Sequence, residues 1–247
     1  MIYLTFDQDW APEWATRDLV TSIEQAGLKA TFFATHSCSS LALMQASENF
    51  ELGWHPNFLP GSSHGADINE VLSSMAAIAP KAKGVRAHYL ISGTPYLTAY
   101  RARGLSYESS DLHDGQRDLE PFLSWTGMVQ LPIFFEDDVH LGRGLPCSLE
   151  TIELDPPGLK IFSFHPVLLA LNINDLGKYQ ALKESLASQG KSLNQGTRED
   201  FEPFVERSVP GMRDLFDTLL GLLNEMPMRA GGTLEELVRV FLAGRST

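Results

Sequence analysis

The chain has 247 residues, 43% of them apolar, enough to bury a large core as one large domain or two small ones. Nineteen basic residues against 31 acidic ones leave a formal charge of −12, which excludes nucleic acid or an anionic membrane as the main partner because nothing would neutralise phosphates. The start MIYLTFDQDW lacks a basic leader, no stretch has the ~20 consecutive apolar residues of a membrane span, and Cys38 and Cys147 sit in no metal-type spacing. The expectation is a cytosolic protein with free thiols and no integral membrane segment.

The first predicted element is the short apolar run 2–6, a strand delivering Asp7 and Asp9 at its carboxyl end. In extended chain, residues two apart face the same way, so these carboxylates would lie a few ångströms apart and need a cation or base to relieve them. The bland alternative is that Asp9 caps a helix beginning near Pro12. Residues 13–26 have apolar side chains at Trp14, Leu19, Val20 and Ile23 and close on Gly27, an amphipathic helix with a glycine stop. A strand over 28–35 brings His36 to its end, a helix follows over 40–47, and a strand over 50–54 carries His55 at its tip. Strand and helix thus alternate within the first 55 residues, as in a parallel sheet or barrel. Polar residues recur at strand carboxyl ends, where such folds place ligands and catalysts.

Residues 56–65 are rich in turn formers and predict a loop carrying Asn57 and His64. A helix over 67–79 leads to a strand over 83–89 that brings Arg86 and His88 to the same rim. A helix over 97–103 and a strand over 105–108 precede a polar loop, 109–120. Residues 128–135 read as one strand ending in the acidic cluster Glu136, Asp137, Asp138, suited to orienting a basic catalytic group. The run 159–165 repeats the pattern of an apolar strand ending in histidine, His165. Beyond it the alternation stops, with helices expected over 176–188, 211–226 and 234–243 and a polar loop over 189–197. No internal repeat is visible, so a single domain with a mainly helical portion from about residue 173 is the simplest organisation.

Carboxylates with imidazoles can hold a divalent ion with positions open for a water and a substrate carbonyl; a second carboxylate can accept the water's proton, and a histidine can protonate a leaving amine. In that setting Thr5-Phe6-Asp7-Gln8-Asp9 resembles the first motif of the polysaccharide deacetylases, carbohydrate esterases of the NodB-homology type. The resemblance implies that Asp7 is the catalytic base and Asp9 a metal ligand. His55 is similar to the first histidine of that family's His-Ser/Thr-x-x-His metal motif, and Arg86 to the arginine that holds the base. The run 159–165 resembles the final motif, which makes His165 the general acid. Leu59 stands where the second metal histidine is expected; His64 is taken as its substitute, with His36 and His88 as alternatives. Gly53-Trp54-His55-Pro56-Asn57-Phe58 and Phe164-His165-Pro166 resemble the WbmS-like branch, associated with lipopolysaccharide O-antigen gene clusters.

This resemblance implies a distorted (β/α)7-type barrel and removal of an N-acyl (acetyl) group from a small-molecule or lipid-linked sugar. Zinc is the preferred divalent metal, because imidazole with carboxylate suits it. Trp10, Asn57 and His88 are expected to contact the sugar, while Trp54, Phe58 and Tyr89 are equally suited to stacking on it or to filling the core. Two rivals remain. A phosphoesterase would use similar ligands but needs a phosphate cradle, of which only Arg86 is visible. A non-catalytic carbohydrate-binding relative would keep the aromatics on a degenerate metal site.

Overall fold

A computed structural model describes residues 1–245. The chain opens as the alternation predicts: β1 (Ile2–Asp7), α1 (Glu13–Gln25), β2 (Ala30–Ala34), α2 (Ser39–Ala46), β3 (Phe50–Trp54), α3 (Ile68–Ile78), β4 (Gly84–Val85), α4 (Thr94–Ala102) and β5 (Tyr107–Glu108). Three short strands follow, β6 (Phe122–Leu123), β7 (Val129–Gln130) and β8 (Phe135–Glu136), then α5 (Asp137–Gly142), β9 (Lys160–Phe164) and α6 (Pro166–Leu171). The remainder is helical: α7 (Gly177–Ser188), α8 (Arg198–Phe201), α9 (Met212–Glu225) and α10 (Leu234–Ala243).

The strands form one sheet in the order β6-β7-β5-β4-β3-β2-β1-β9-β8, parallel except for the β6–β7 pair. A parallel bridge between Leu112 and Ile133 joins the run after β5 to the run before β8. The seven strands from β5 round to β8 therefore curl into a distorted barrel, with β6 and β7 as an appendage outside it. β1 lies between β2 and β9, and every one of its residues is buried, as parallel strands covered on both faces require. Phe6 stacks on Phe32 at 4.7 Å and meets Phe216 of α9 edge-on at 5.8 Å. α9 earns that place through Met212, Leu215, Phe216, Leu219, Leu220 and Leu223, a continuous apolar stripe at helical spacing. Burying each such side chain contributes roughly 1.5–3 kcal/mol. At the opposite end from the strand tips, the first turn of α10 donates to the β2 and β3 side chains, Leu234 N to Thr31 Oγ1 and Glu235 N to Glu51 Oε2.

Two sequence expectations change. The single strand expected over 128–135 is two, β7 beside β5 and β8 beside β9, because Pro132 cannot donate to a ladder and the chain crosses there from one strand's neighbour to the other's. The strand expected over 83–89 is only Gly84–Val85; a 3₁₀ turn, His88–Leu90, follows, with Tyr89 and Leu90 left-handed at φ 57° and 52°. Gly84 permits a close approach there: a Cβ on it would lie 1.9 Å from Tyr107. The capping alternative for Asp9 does not hold, since the N-cap of α1 is Pro12 and no side chain caps it.

Candidate active site

The carboxyl ends of β1, β3, β4, β8 and β9 converge on one rim. Asp7 closes β1 and is buried; Arg86 Nη1 donates to its Oδ1 at 3.1 Å and also reaches Thr5 Oγ1 and Ser163 Oγ at 2.8 and 2.9 Å. The guanidinium is fixed from behind by the Ser109 carbonyl at 2.7 Å from Nε, and lies over the Phe33 ring at 4.5 Å. Arg86 is fully buried, so a cation in this core is tolerable only because nearly every donor is used.

Asp9 is set differently. The backbone turns left-handed at Asp9 and Trp10, φ 41° and 55°, so the second carboxylate leaves the strand direction. Its Oδ1 lies 2.9 Å from His55 Nε2 and 3.0 Å from His88 Nδ1, and its Oδ2 3.5 Å from His165 Nε2. Burial works against this carboxylate, but His55, His88 and His165 together hold it well below the usual carboxylate range. Both His55 ring nitrogens and Asp9 Oδ1 are buried without a hydrogen-bond partner among the described residues, so the 2.9 Å approach is not a hydrogen bond. Donor atoms crowded yet unbonded suit a cation: ligands held at about 2.0–2.2 Å from zinc lie roughly 3–3.5 Å from one another. Asp9, His55 and His88 are thus a candidate metal-binding group that the ion expected from the sequence fits.

On the far side His165 Nδ1 lies 2.6 Å from Asp137 Oδ1, and its backbone N–H donates to Asp137 Oδ2 at 2.7 Å. Burial opposes a charge on this imidazole, but the Asp137 carboxylate, helped by Asp9 and Asp138, raises its pKa well above the ordinary value. Asp137 comes from the acidic cluster singled out in the sequence, now the first turn of α5.

His64, the expected ligand, lies apart from this group. Its Nδ1 accepts from Asn57 N at 3.0 Å, its Nε2 lies 2.8 Å from the Thr35 carbonyl, and its ring stacks on Trp10. With both nitrogens committed to backbone it has no lone pair for a metal, and His88 is the third imidazole or carboxylate donor in the group. His36 sits beside Thr35 Oγ1 at 3.0 Å and is not among those donors. Asn57 Oδ1 accepts from Leu59 N in a local turn, which spends that oxygen on the loop and not on a ligand.

The amino-acid pattern of the WbmS-like polysaccharide deacetylases matches residues 4–183. The chain belongs to that family. Among solved structures it is similar to a protein from Bordetella bronchiseptica provisionally assigned as a polysaccharide deacetylase involved in O-antigen biosynthesis, with 30% identity, 90% of each chain covered and a TM-score of 0.78. It also shares its fold with a protein from Mycobacterium smegmatis given the same class, at 14% identity and a TM-score of 0.56, covering 99% of this chain and 90% of that one. No curated protein matches. The curled barrel is accordingly the polysaccharide deacetylase fold.

In this WbmS-like chain the rim opens into a cavity of about 550 Å³. Asp7, Asp9, His55, His88 and His165 form its floor, and Trp10 and Tyr89 line it. Trp54 and Phe58 turn away: Trp54 Nε1 donates to Ala79 O within the smaller core cluster, and Phe58 packs on Tyr96 at 4.7 Å. The outer wall, Tyr179, Lys183 and residues 192–194, comes from the helical portion and carried no signal in the sequence. Glu136 also faces the cavity, and burial pushes its carboxyl up to about 8.

Proposed function

We propose that the chain is a metal-dependent N-deacetylase that removes an acetyl group from an acetamido sugar in the cytosol, in the biosynthesis of O-antigen or a related polysaccharide. What carries the reading is one convergence: Asp9, His55 and His88 meet beside an arginine-held carboxylate, with an aspartate-held histidine opposite. Family membership supports the deacetylase class, and the similar Bordetella protein supports the O-antigen context.

Asp9, His55 and His88 would hold a divalent ion, with zinc preferred for a carboxylate-imidazole set. An ion held there would supply Lewis acidity for the amide carbonyl and for a water. The chain's own residues do the rest. Asp7 accepts the proton of the attacking water, and Arg86 fixes the Oδ1 edge of that carboxylate so that the other oxygen, hydrogen-bonded among the described residues to Ser163 at 3.3 Å, faces the reaction. His165 donates its proton to the amide nitrogen as the C–N bond breaks, and Asp137 keeps the imidazole charged and pointed inward. Trp10 and Tyr89 offer faces for the sugar ring.

The test is acetate release from acetamido sugars, read alongside elemental analysis of the metal. Asp7→Asn keeps about one divalent ion per chain and loses turnover by roughly 10²–10⁴-fold, whereas Asp9→Asn and His55→Ala lose metal and turnover together. Equal metal content in all three variants contradicts the assignment, and no metal under any condition moves the protein to the carbohydrate-binding reading.

A further inference from the structure

The outer wall of the cavity has a charge that the chemistry described above does not use. Six lysines and arginines lie between Lys178 and Arg213, and five are in ion pairs: Lys178 with Glu206, Lys191 with Asp200, Arg198 with Asp18, Arg207 with Glu202 and Arg213 with Asp217. Lys183 has no such partner among the described residues. Its ammonium lies 4.5 Å from the centre of the Tyr179 ring, one turn earlier on α7, and both side chains line the cavity. A chain with a surplus of twelve negative charges has carboxylates to spare, yet none is supplied here.

The other charged groups on the cavity wall are acids or the histidines they hold. Asp7, Asp9, Glu136 and Asp138 face it, and Arg86 is buried behind Asp7 with its donors spent. Lys183 is therefore the cation at the mouth able to meet negative charge on an incoming molecule. The Tyr179 ring steadies the ammonium without neutralising it, since a ring face attracts a cation yet leaves its N–H donors largely unspent. Ser192 and Asn194 stand on the same wall, hydrogen-bonded to each other at 2.7 Å, and supply polar surface beside it.

We propose that Lys183, held over Tyr179, recognises an anionic group, carboxylate or phosphate, on the acetamido sugar that enters this cavity. The inference rests on the deacetylase reading for the identity of the sugar. The anion has two sources with the same chemistry: the ring carboxylate of an acetamido hexuronate, or the phosphate that joins a sugar to its carrier. A charge-assisted contact at the mouth, away from the metal group, sets which sugar binds and leaves the reacting amide to the floor.

Calorimetric titration tests this with the zinc-loaded full chain carrying Asp7→Asn, so that bound sugar is not consumed. The probes are N-acetylhexosamine, its 1-phosphate and N-acetylhexosaminuronic acid, each in gluco and galacto forms. At least one charged sugar is expected to bind about 10-fold more tightly than its neutral counterpart, an advantage that weakens with salt. Lys183→Ala removes the advantage to within about two-fold, Lys183→Arg restores it, and neutral-sugar affinity stays the same in all three. The charged sugar that gains identifies the source. Equal affinities for charged and neutral sugars, no binding of any charged sugar, or an advantage that survives Lys183→Ala overturns the proposal. Acetate release by the unsubstituted chain is followed separately: a charge preference without any acetate release sinks the deacetylase reading and leaves the Lys183 assignment standing.

Discussion

The sharpest perturbation separates two histidines that the sequence ranks the other way round. His88→Ala removes one of the three donors of the group Asp9, His55 and His88. Losing a group that merely orients a ligand costs 10–100-fold in metal affinity, so losing the ligand itself should cost at least about 100-fold, or ~2.7 kcal/mol. His64→Ala removes no donor from that group but frees the Asn57 N–H and the Thr35 carbonyl and takes a ring from the face of Trp10. Each orphaned backbone group costs about 1–3 kcal/mol, which for a chain of this size lowers Tm by roughly 5–15 °C in total. The assay is a zinc competition against a chromophoric chelator, with thermal melts of the apo and zinc-loaded forms. His64→Ala should melt early yet gain as much Tm from zinc as the parent; His88→Ala should start within a few degrees of the parent and gain little at the same zinc concentration. A folded His64→Ala protein that binds no zinc, beside a His88→Ala protein that binds it normally, would refute the reasoning.

Two further outcomes follow from the buried acids. Asp137→Asn leaves a neutral group against His165 Nδ1, so the pKa that burial opposes and Asp137 raises falls. His165 acts as an acid only while protonated, so the alkaline limb of the pH–rate profile moves to lower pH while metal content is unchanged; an unmoved limb argues that another group donates the proton. Glu51, far from the site, is pushed up to about 7 by burial, against hydrogen bonds from Tyr107, Glu235 N and Thr31. Between its ordinary value of 4.5 and 7 the folded chain holds a proton that the unfolded chain has released, so its contribution to stability is full below that window and is lost as pH rises through it. Glu51→Gln should therefore gain stability relative to the parent between pH 5 and pH 8, by up to roughly 3 kcal/mol, read by denaturant unfolding at each pH; a difference independent of pH across that range contradicts the burial argument.

How much of this was legible follows from how each residue reaches the rim. Asp7, His55 and His165 end or directly follow apolar parallel strands, and a buried strand announces its tip by the first polar residue after it. Arg86 follows the same logic from a strand of only two residues. His88 stood only as an alternative to His64 because it rides on a 3₁₀ turn with two left-handed residues, Tyr89 and Leu90, whose conformation no period describes. His64 has a plausible spacing, but only the fold reveals that its two nitrogens brace the loop that carries it. Residues 128–135 look like one strand because each half is apolar; Pro132 was the mark of the division. Tyr179 and Lys183 belong to a helix of ordinary amphipathic character, and only the packing of α7 beside α6 brings that helix over the barrel mouth.

The two first carboxylates reach the rim together, though not by the strand alternation that their spacing implies. Strand alternation would keep Asp7 and Asp9 on one face, within reach of one partner. Instead the backbone leaves the strand between them. Gln8 Oε1 accepts from Thr35 N and His36 N at 2.9 and 3.1 Å, and Thr35 Oγ1 accepts from Trp10 N at 3.1 Å, so the tips of β1 and β2 are laced together around the turn. Left-handed Asp and Trp residues cost of order 1–3 kcal/mol each, and these bonds are what hold them there. The turn separates the environments: Asp7 stays against Arg86, and Asp9 is carried out to three imidazoles. Two acids of the same reach thus meet different partners, one the Arg86 guanidinium and the other a set of imidazoles. A division between base and ligand needs that difference, and it is set by the conformation of two residues.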